Sequence, residues 1–411
     1  MSTATPAPVP AAQVAGTGRS LRGVLTALCI TEITSWGVLY YAFPVLAPHI
    51  SRETGWSTSA ITSAFSAALI LAALGGIPLG RALDRHGPRL LMTGGSVLGV
   101  VAVLGMAAAP DLGWFVAAWL LAGAAMTAVL YQPAFAALTR YYAPHHLAAL
   151  TTLTLVAGLA STVFAPLTDA LAGQLSWRGV YLVLAAVLAA VTIPLHYLAL
   201  RRPWPRAKER PTASAGHGDA DGDRSNVQVG MVVRSPSFLM LTSALTLSAF
   251  SLYAVLTNLI PLLTSRGASP ALAAWALGLG GVGQVAGRLG YRALVRRTSV
   301  QARTIGILAG SALTTAALAA VPGPVPLLIA IAVLAGIMRG VSTLLQATAV
   351  SDRWGTTAYG SLSGIMAAPI TIAGAIAPAA GAALATGLGG YPALFTILAA
   401  TAALAALAAG G

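Results

Sequence analysis

The chain of 411 residues is 57 % hydrophobic and only 8 % charged, with 44 Gly, 24 Pro and a mean hydropathy of +0.81. Soluble domains run at about 45–50 % apolar and about 25 % charged, which excludes that class, and apolar runs of about 20 residues recur, the length that crosses a bilayer. The net charge of +13 arises in short loops between those runs, which argues for a lipid bilayer and against a nucleic-acid partner.

Residues 1–20, rich in Ala, Pro and Thr, read as a disordered cytoplasmic tail. The first apolar run, from about Leu21 to Ile50, is too long for a signal-peptide core and has no small-residue cleavage pattern, so its retention is expected. Twelve helices are predicted, over 22–48, 57–82, 90–109, 112–141, 147–174 and 177–200 in the first half. In the second half they cover 236–265, 270–295, 302–321, 325–350, 357–386 and 391–408. The single cysteine, Cys29, lies in the first helix, which leaves no disulfide framework or thiolate cluster. No metal site and no cofactor are expected.

Arginine placement sets the orientation. Arg19 and Arg22, the trio Arg81, Arg85 and Arg89, then Arg140, fall on alternate loops. So do the basic residues between 201 and 234, the five arginines from Arg288 to Arg303, and Arg353. Arg52, Arg178 and Arg266 lie on the other side, and Arg339 lies within a span. The positive-inside rule then places both termini in the cytoplasm of a multi-pass inner (plasma) membrane protein. Residues 201–235 cannot bury enough apolar area to fold and read as a cytoplasmic linker between bundles at 21–200 and 236–411. Their lone His217, among aspartates, fits a solvated acidic linker better than a metal site.

A shift of 213 residues superimposes Tyr40 on Tyr253, Pro48 on Pro261, Leu121-Ala122-Gly123 on Leu334-Ala335-Gly336 and Arg140 on Arg353. Parallel six-helix repeats put a binding site near the midplane between the halves, which rock around it.

Between the second and third helices stands Gly80-Arg81-Ala82-Leu83-Asp84-Arg85-His86-Gly87-Pro88-Arg89. It resembles the Gly-x-x-x-Asp-Arg-x-Gly-x-Arg signature of the major facilitator superfamily, and the resemblance in topology covers essentially the whole chain. A decayed copy, Gly287-Arg288-Leu289-Gly290-Tyr291, lacks the aspartate. Trp36-Gly37-Val38-Leu39-Tyr40-Tyr41 and Gly360-Ser361-Leu362-Ser363-Gly364 are similar to bacterial members related to monocarboxylate carriers. The implied fold is an all-α polytopic membrane protein of twelve helices in two pseudo-symmetric six-helix bundles.

The resemblance implies that Gly80, Asp84, Arg85, Gly87 and Arg89 form a cytoplasmic gate. Asp84 would sit against the start of the eleventh helix, near Tyr359-Gly360-Ser361. In many relatives the arginine at Arg85 pairs with an acid closing the fourth helix. Here that segment reads Leu138-Thr139-Arg140-Tyr141-Tyr142, with no acid. Asp84 is therefore expected to contact Arg140, and Asp352 to contact Arg288 or Arg292. These charges could instead only set topology.

Glu32 and Arg339 are the charges placed deepest, Glu32 about 16 Å beyond the start of its helix and Arg339 about 20 Å from its outer end. A charge at that depth costs at least about 2.5–3.5 kcal/mol and calls for a cavity or a partner. Glu32, Trp36 and Tyr40 share a face of the first helix, and Arg339, Thr343 and Gln346 one of the tenth. Tyr253 and Asn258 lie on the seventh helix, Tyr131 and Gln132 on the fourth. In the superfamily those four helices line the central cavity. One reading gives Arg339 the anionic group of a substrate and Glu32 a coupling proton, with the aromatic and polar side chains as substrate contacts. The other makes Glu32 and Arg339 a structural ion pair, or bonds Glu32 to neighbouring helix hydroxyls. Asp169 is expected at an interface.

The expected function is secondary active transport of a small organic solute, an organic anion such as a monocarboxylate, by alternating access with proton coupling, in a monomer. The alternatives are a drug or metabolite exporter of the same superfamily and a non-transporting receptor. No cluster of nucleophile, base or metal ligands at one depth suggests an enzyme.

Overall fold

A computed structural model describes residues 11–143, 145–204 and 229–410. Residues 1–10 of the expected tail and 205–228 of the expected linker, His217 included, lie outside the described residues. Twelve helical spans follow one another. In the first half they are α1 (Ala11–Trp36, Gly37–Tyr41 and Ala42–Thr54), α2 (Thr58–His86), α3 (Pro88–Ala107), α4 (Leu112–Tyr141), α5 (Leu147–Ala172) and α6 (Trp177–Ala199). The second half contains α7 (Pro236–Ser265), α8 (Pro270–Arg297), α9 (Val300–Ala320), α10 (Val325–Trp354), α11 (Tyr359–Gly387) and α12 (Tyr391–Ala408). Residues 11–20, expected in a disordered tail, instead extend α1.

Eleven of these spans are long and apolar enough to cross a membrane. The other, α8, has the length but is diluted by glycines, Gln284 and Arg288. Local chemistry starts the helices: Ser57, Asp111, Ser176, Ser235, Ser269 and Ser299 each accept an amide N–H from the first turn of α2, α4, α6, α7, α8 and α9.

Packing repeats with a shift of six helices. In the first half α2 lies on α4, α3 on α4 and α6, and α1 on α5 and α6. The second half pairs α8 with α10, α9 with α10 and α12, and α7 with α11 and α12. The chain thus forms two pseudo-symmetric six-helix bundles. Small residues allow the tightest of these approaches: a Cβ on Gly336 would fall on the Gly280 backbone, and one on Gly340 on that of Gln284.

The bundles meet at the end bearing the α2–α3 and α8–α9 turns, here the basic end. One apolar cluster there draws on both, with Leu83, Phe135, Leu138 and Leu150 beside Leu344, Leu345, Tyr359 and Leu362. The two other apolar clusters each belong to a single bundle.

Two irregularities interrupt the helices of the first bundle. Gly37–Tyr41 is a π-helical segment, and a Cβ on Gly37 would overlap the Phe164 ring of α5. In α4 the helix breaks at Leu130, which is extended, and resumes at Tyr131. Pro133 has no N–H to reach back across that turn.

Candidate functional site

The side chains facing each other between the bundles come from α1, α4, α7, α8 and α10. Glu32 is 0 % exposed; its Oε2 accepts the indole N–H of Trp36 at 3.0 Å, while Oε1 has no hydrogen-bond partner. The spacing of four residues, which sets both side chains on one helix face, makes that bond possible. Trp36 is the hub of an aromatic wall. Its ring centroid lies 5.3 Å from Tyr40, 6.3 Å from Tyr41 and 5.0 Å from Tyr131, which stacks on Phe135 at 5.0 Å. The π-helical turn helps to present consecutive tyrosines at one site, because its wider rotation is where helices commonly reshape a functional face.

Two arginines stand on the other bundle. Arg339, in mid-α10, donates from Nε to Gln284 Oε1 at 3.2 Å. Arg288, one turn beyond Gln284 on α8, is only 6 % exposed. It reaches across to α5, donating from one terminal nitrogen to the Thr154 carbonyl at 2.5 Å, and its Nε has no partner. The two arginines feel each other's charge, and both lie within electrostatic reach of the Tyr41 and Tyr253 hydroxyls, Arg288 of Tyr131 as well. Neither has a carboxylate partner among the described residues, whereas Arg140 pairs with Asp84, Arg178 with Glu53 and Arg303 with Asp352. Glu32 and Arg339 therefore do not form the ion pair that was the alternative reading. Cations without a carboxylate partner at this depth are costly.

The other expected residues divide. Thr343 donates to the Arg339 carbonyl at 3.0 Å, inside its own helix, and Gln346 is exposed nearer the basic end. Asn258 is buried in its own bundle, donating to the Ala254 carbonyl and lying where a Cβ on Gly381 would go. Gln132 packs against Gly76 of α2. Arg288 and Tyr41 join the site without having been singled out for it. The glycine stripe of α8, which marks the face turned to α10, was the available signal for Arg288.

At the basic end the seam between α2 and α11 is closed. Asp84 accepts the Gly360 N–H at 3.1 Å and both the N–H and the hydroxyl of Ser361 at 2.7 Å, capping a helix whose own N-cap, Ala358, offers no side chain. Gly80 is required here, since a Cβ would fall on the Gly360 carbonyl. Arg140 approaches the Asp84 carboxylate at 4.0 Å, as expected. It also donates to the carbonyls of Asp84 (3.2 Å), Thr356 (3.2 Å) and Thr357.

Asp84 and Arg85, expected in a loop, occupy the last turn of α2, and only Gly87, at φ +76°, makes the turn to α3. Arg85 is exposed, while Arg89 donates to the Tyr197 carbonyl at 3.0 Å and covers its ring. Trp204, which sequence reasoning did not single out, donates to the Asp84 carbonyl at 3.1 Å and lies under the Arg140 guanidinium.

The expected partner of Asp352 requires correction. It pairs with Arg303 at 2.5 Å and not with Arg288 or Arg292, because Arg288 is turned inward to Thr154 and Arg303 begins α9 right beside the end of α10. Beside that pair, His146 and Ser351 bridge the bundles at 3.2 Å. Burial lowers the pKa of His146, and the charge of Asp352 opposes the shift.

The family model of the Major Facilitator Superfamily matches residues 28–325. Among curated proteins, monocarboxylate transporter 13 of Bos taurus is 27 % identical over 269 residues, and that of Rattus norvegicus 26 %. Each match covers 64 % of this chain but only 57 % of the relative. Among solved structures, two of the E. coli fucose:proton symporter FucP, one described as outward, align with TM-scores of 0.70 and 0.71 at 16 % identity. They cover 94 % of this chain and 97 % of theirs. With its two packed six-helix bundles and the Asp84 seam, the chain belongs to the major facilitator superfamily of membrane transporters.

Proposed function

We propose that this protein is a secondary active carrier that moves a small organic anion by alternating access, coupled to protons. The observation that carries the reading is the pair of arginines Arg288 and Arg339, without a carboxylate partner among the described residues and within electrostatic reach of tyrosine hydroxyls. A guanidinium offers a carboxylate two parallel N–H donors, and two guanidinia bracket it. The name of the mammalian relatives, monocarboxylate transporter, agrees with that chemistry.

In this scheme the basic end is cytoplasmic and the monomer sits in the inner membrane with its cavity facing out. The anion binds Arg288 and Arg339 on the second bundle and meets Trp36, Tyr40, Tyr131 and Tyr253. Glu32, bonded to Trp36, gains and loses the coupling proton, so that a substrate touching Trp36 acts on the proton site through one hydrogen bond. Opening at the basic end requires Asp84 to leave the start of α11.

The test is uptake into proteoliposomes with an imposed pH gradient, comparing the native protein with Glu32→Gln. Gradient-driven uptake lost with counterflow retained supports the scheme. Equal gradient-driven uptake by both proteins rules out Glu32 as the coupling group.

A further inference from the structure

From the aromatic wall facing the arginines, we propose that the substrate is an aromatic monocarboxylate, a single ring carrying one carboxylate, of the size of benzoate or phenylacetate. The proposal rests on the anion reading above and adds what the other end of the molecule must be.

The two sides of the site differ in chemistry. The positive charge is confined to α8 and α10 of the second bundle. The first bundle presents Trp36, Tyr40, Tyr41 and Tyr131, whose rings lie 5.0–6.3 Å from the Trp36 centroid and tilt by 41–64°. The rings are in contact with one another, and an added ring would pack on their open edges and faces, where edge-to-face or offset contacts at similar separations are preferred. All four are only partly buried, unlike Phe43, Trp119, Phe115 and Trp177, which continue the aromatic cluster into the core. One face of Tyr131 is taken by Phe135, and Tyr40 also meets Phe65, but each of the four rings keeps part of its surface open.

The hydroxyls point the same way. None of Tyr40, Tyr41, Tyr131 or Tyr253 makes a hydrogen bond from its hydroxyl among the described residues, although three of them lie within reach of Arg288. Tyr253 is 44 % exposed, and with Arg288 and Arg339 it lies within electrostatic reach of Tyr41 of the aromatic wall. A two-carbon or three-carbon acid would fill the arginine end and leave the indole and phenol faces wet. A ring-bearing acid offers its carboxylate to the guanidinia of one bundle and its ring to the aromatic side chains of the other. A second carboxylate is disfavoured, because the acid on the aromatic side is the buried Glu32.

The test is affinity measured by thermal stabilisation of the purified full-length protein with benzoate, cyclohexanecarboxylate, lactate, gluconate, phthalate and benzyl alcohol. The expected result is benzoate tighter than cyclohexanecarboxylate and lactate by about tenfold, the gain from one or two ring contacts. Tyr131→Leu should collapse that ratio and Tyr131→Phe should keep it, with lactate binding in each variant reporting that the site is folded. Benzoate equal to lactate or cyclohexanecarboxylate, or weaker than gluconate or phthalate, overturns the aromatic monocarboxylate and leaves the anion reading standing. Benzyl alcohol equal to benzoate overturns the anion reading itself. Binding by none of the acids at millimolar concentration overturns both.

Discussion

Asp84 and Ser361, 277 positions apart, are joined twice, the carboxylate accepting both the backbone N–H and the side-chain hydroxyl at 2.7 Å. A side chain from one bundle thereby serves as the missing N-terminal cap of a helix in the other. Closure of the basic end and satisfaction of α11 are one interaction.

Replacing that acid tests the seam. Asp84→Asn keeps the size but substitutes an NH2 group for one of two acceptor oxygens that face three donors. It should cost about 1–2 kcal/mol, the range for a lost cap or a buried unpaired donor. A cysteine placed at Thr357 should then react faster with a water-soluble maleimide than in the parent. Unchanged stability and labelling would show the cap to be dispensable.

Trp204 should share that phenotype. Its N–H bond to the Asp84 carbonyl and its ring under Arg140 tie the segment after α6 into the seam. Trp204→Leu removes a hydrogen bond and a cation–π contact, each worth about 0.5–1.5 kcal/mol. Combined with Asp84→Asn, the effects should fall short of additive, because both residues act on one network. Full additivity in thermal unfolding would separate them.

Arg288→Gln should weaken anion binding by about 10–100-fold, as expected for losing charge-assisted hydrogen bonds of about 1.5–3 kcal/mol. Arg288→Lys should recover only part, since an ammonium is a point charge without the planar fork. Titration by ligand-induced stabilisation measures both. Equal affinity in Arg288→Gln would remove Arg288 from the site and leave Arg339 as the anion's ligand.

His146 gives the basic end a pH dependence with a definite sign. Its pKa is lowered in the folded protein by burial, so the unfolded chain binds the proton more readily and stability falls with pH. The contribution is complete above about pH 6.5, the ordinary histidine value, and is lost as pH drops below it toward the folded value. His146→Gln should flatten that part of the unfolding profile, read as the difference in Tm between variant and parent across pH 5–8. An identical profile in both proteins would place the acid sensitivity elsewhere.

Periodicity and charge made much of this architecture legible. Long apolar runs separated by arginine loops mark the spans, and the spacing of Glu32 and Trp36 marks a face that the hydrogen bond between them bears out. The contact of Asp84 with Arg140 was legible because a missing acid at the end of α4 left one partner for each. What stayed hidden depends on contacts distant in sequence. Arg288 reads as a loop arginine until α5 supplies the Thr154 carbonyl. Asp352 finds Arg303 only because α9 starts beside the end of α10. Trp204 carries no motif, and its place follows from where α6 ends.

The π-helical turn at Gly37–Tyr41 carries one more residue per turn than the α-helix on either side of it. Its effect is that of an insertion absorbed within a single turn. After it, Phe43, Leu46 and Ile50 return to the buried core of the first bundle. The extra residue is thereby taken up within one turn, the one that carries Tyr40 and Tyr41.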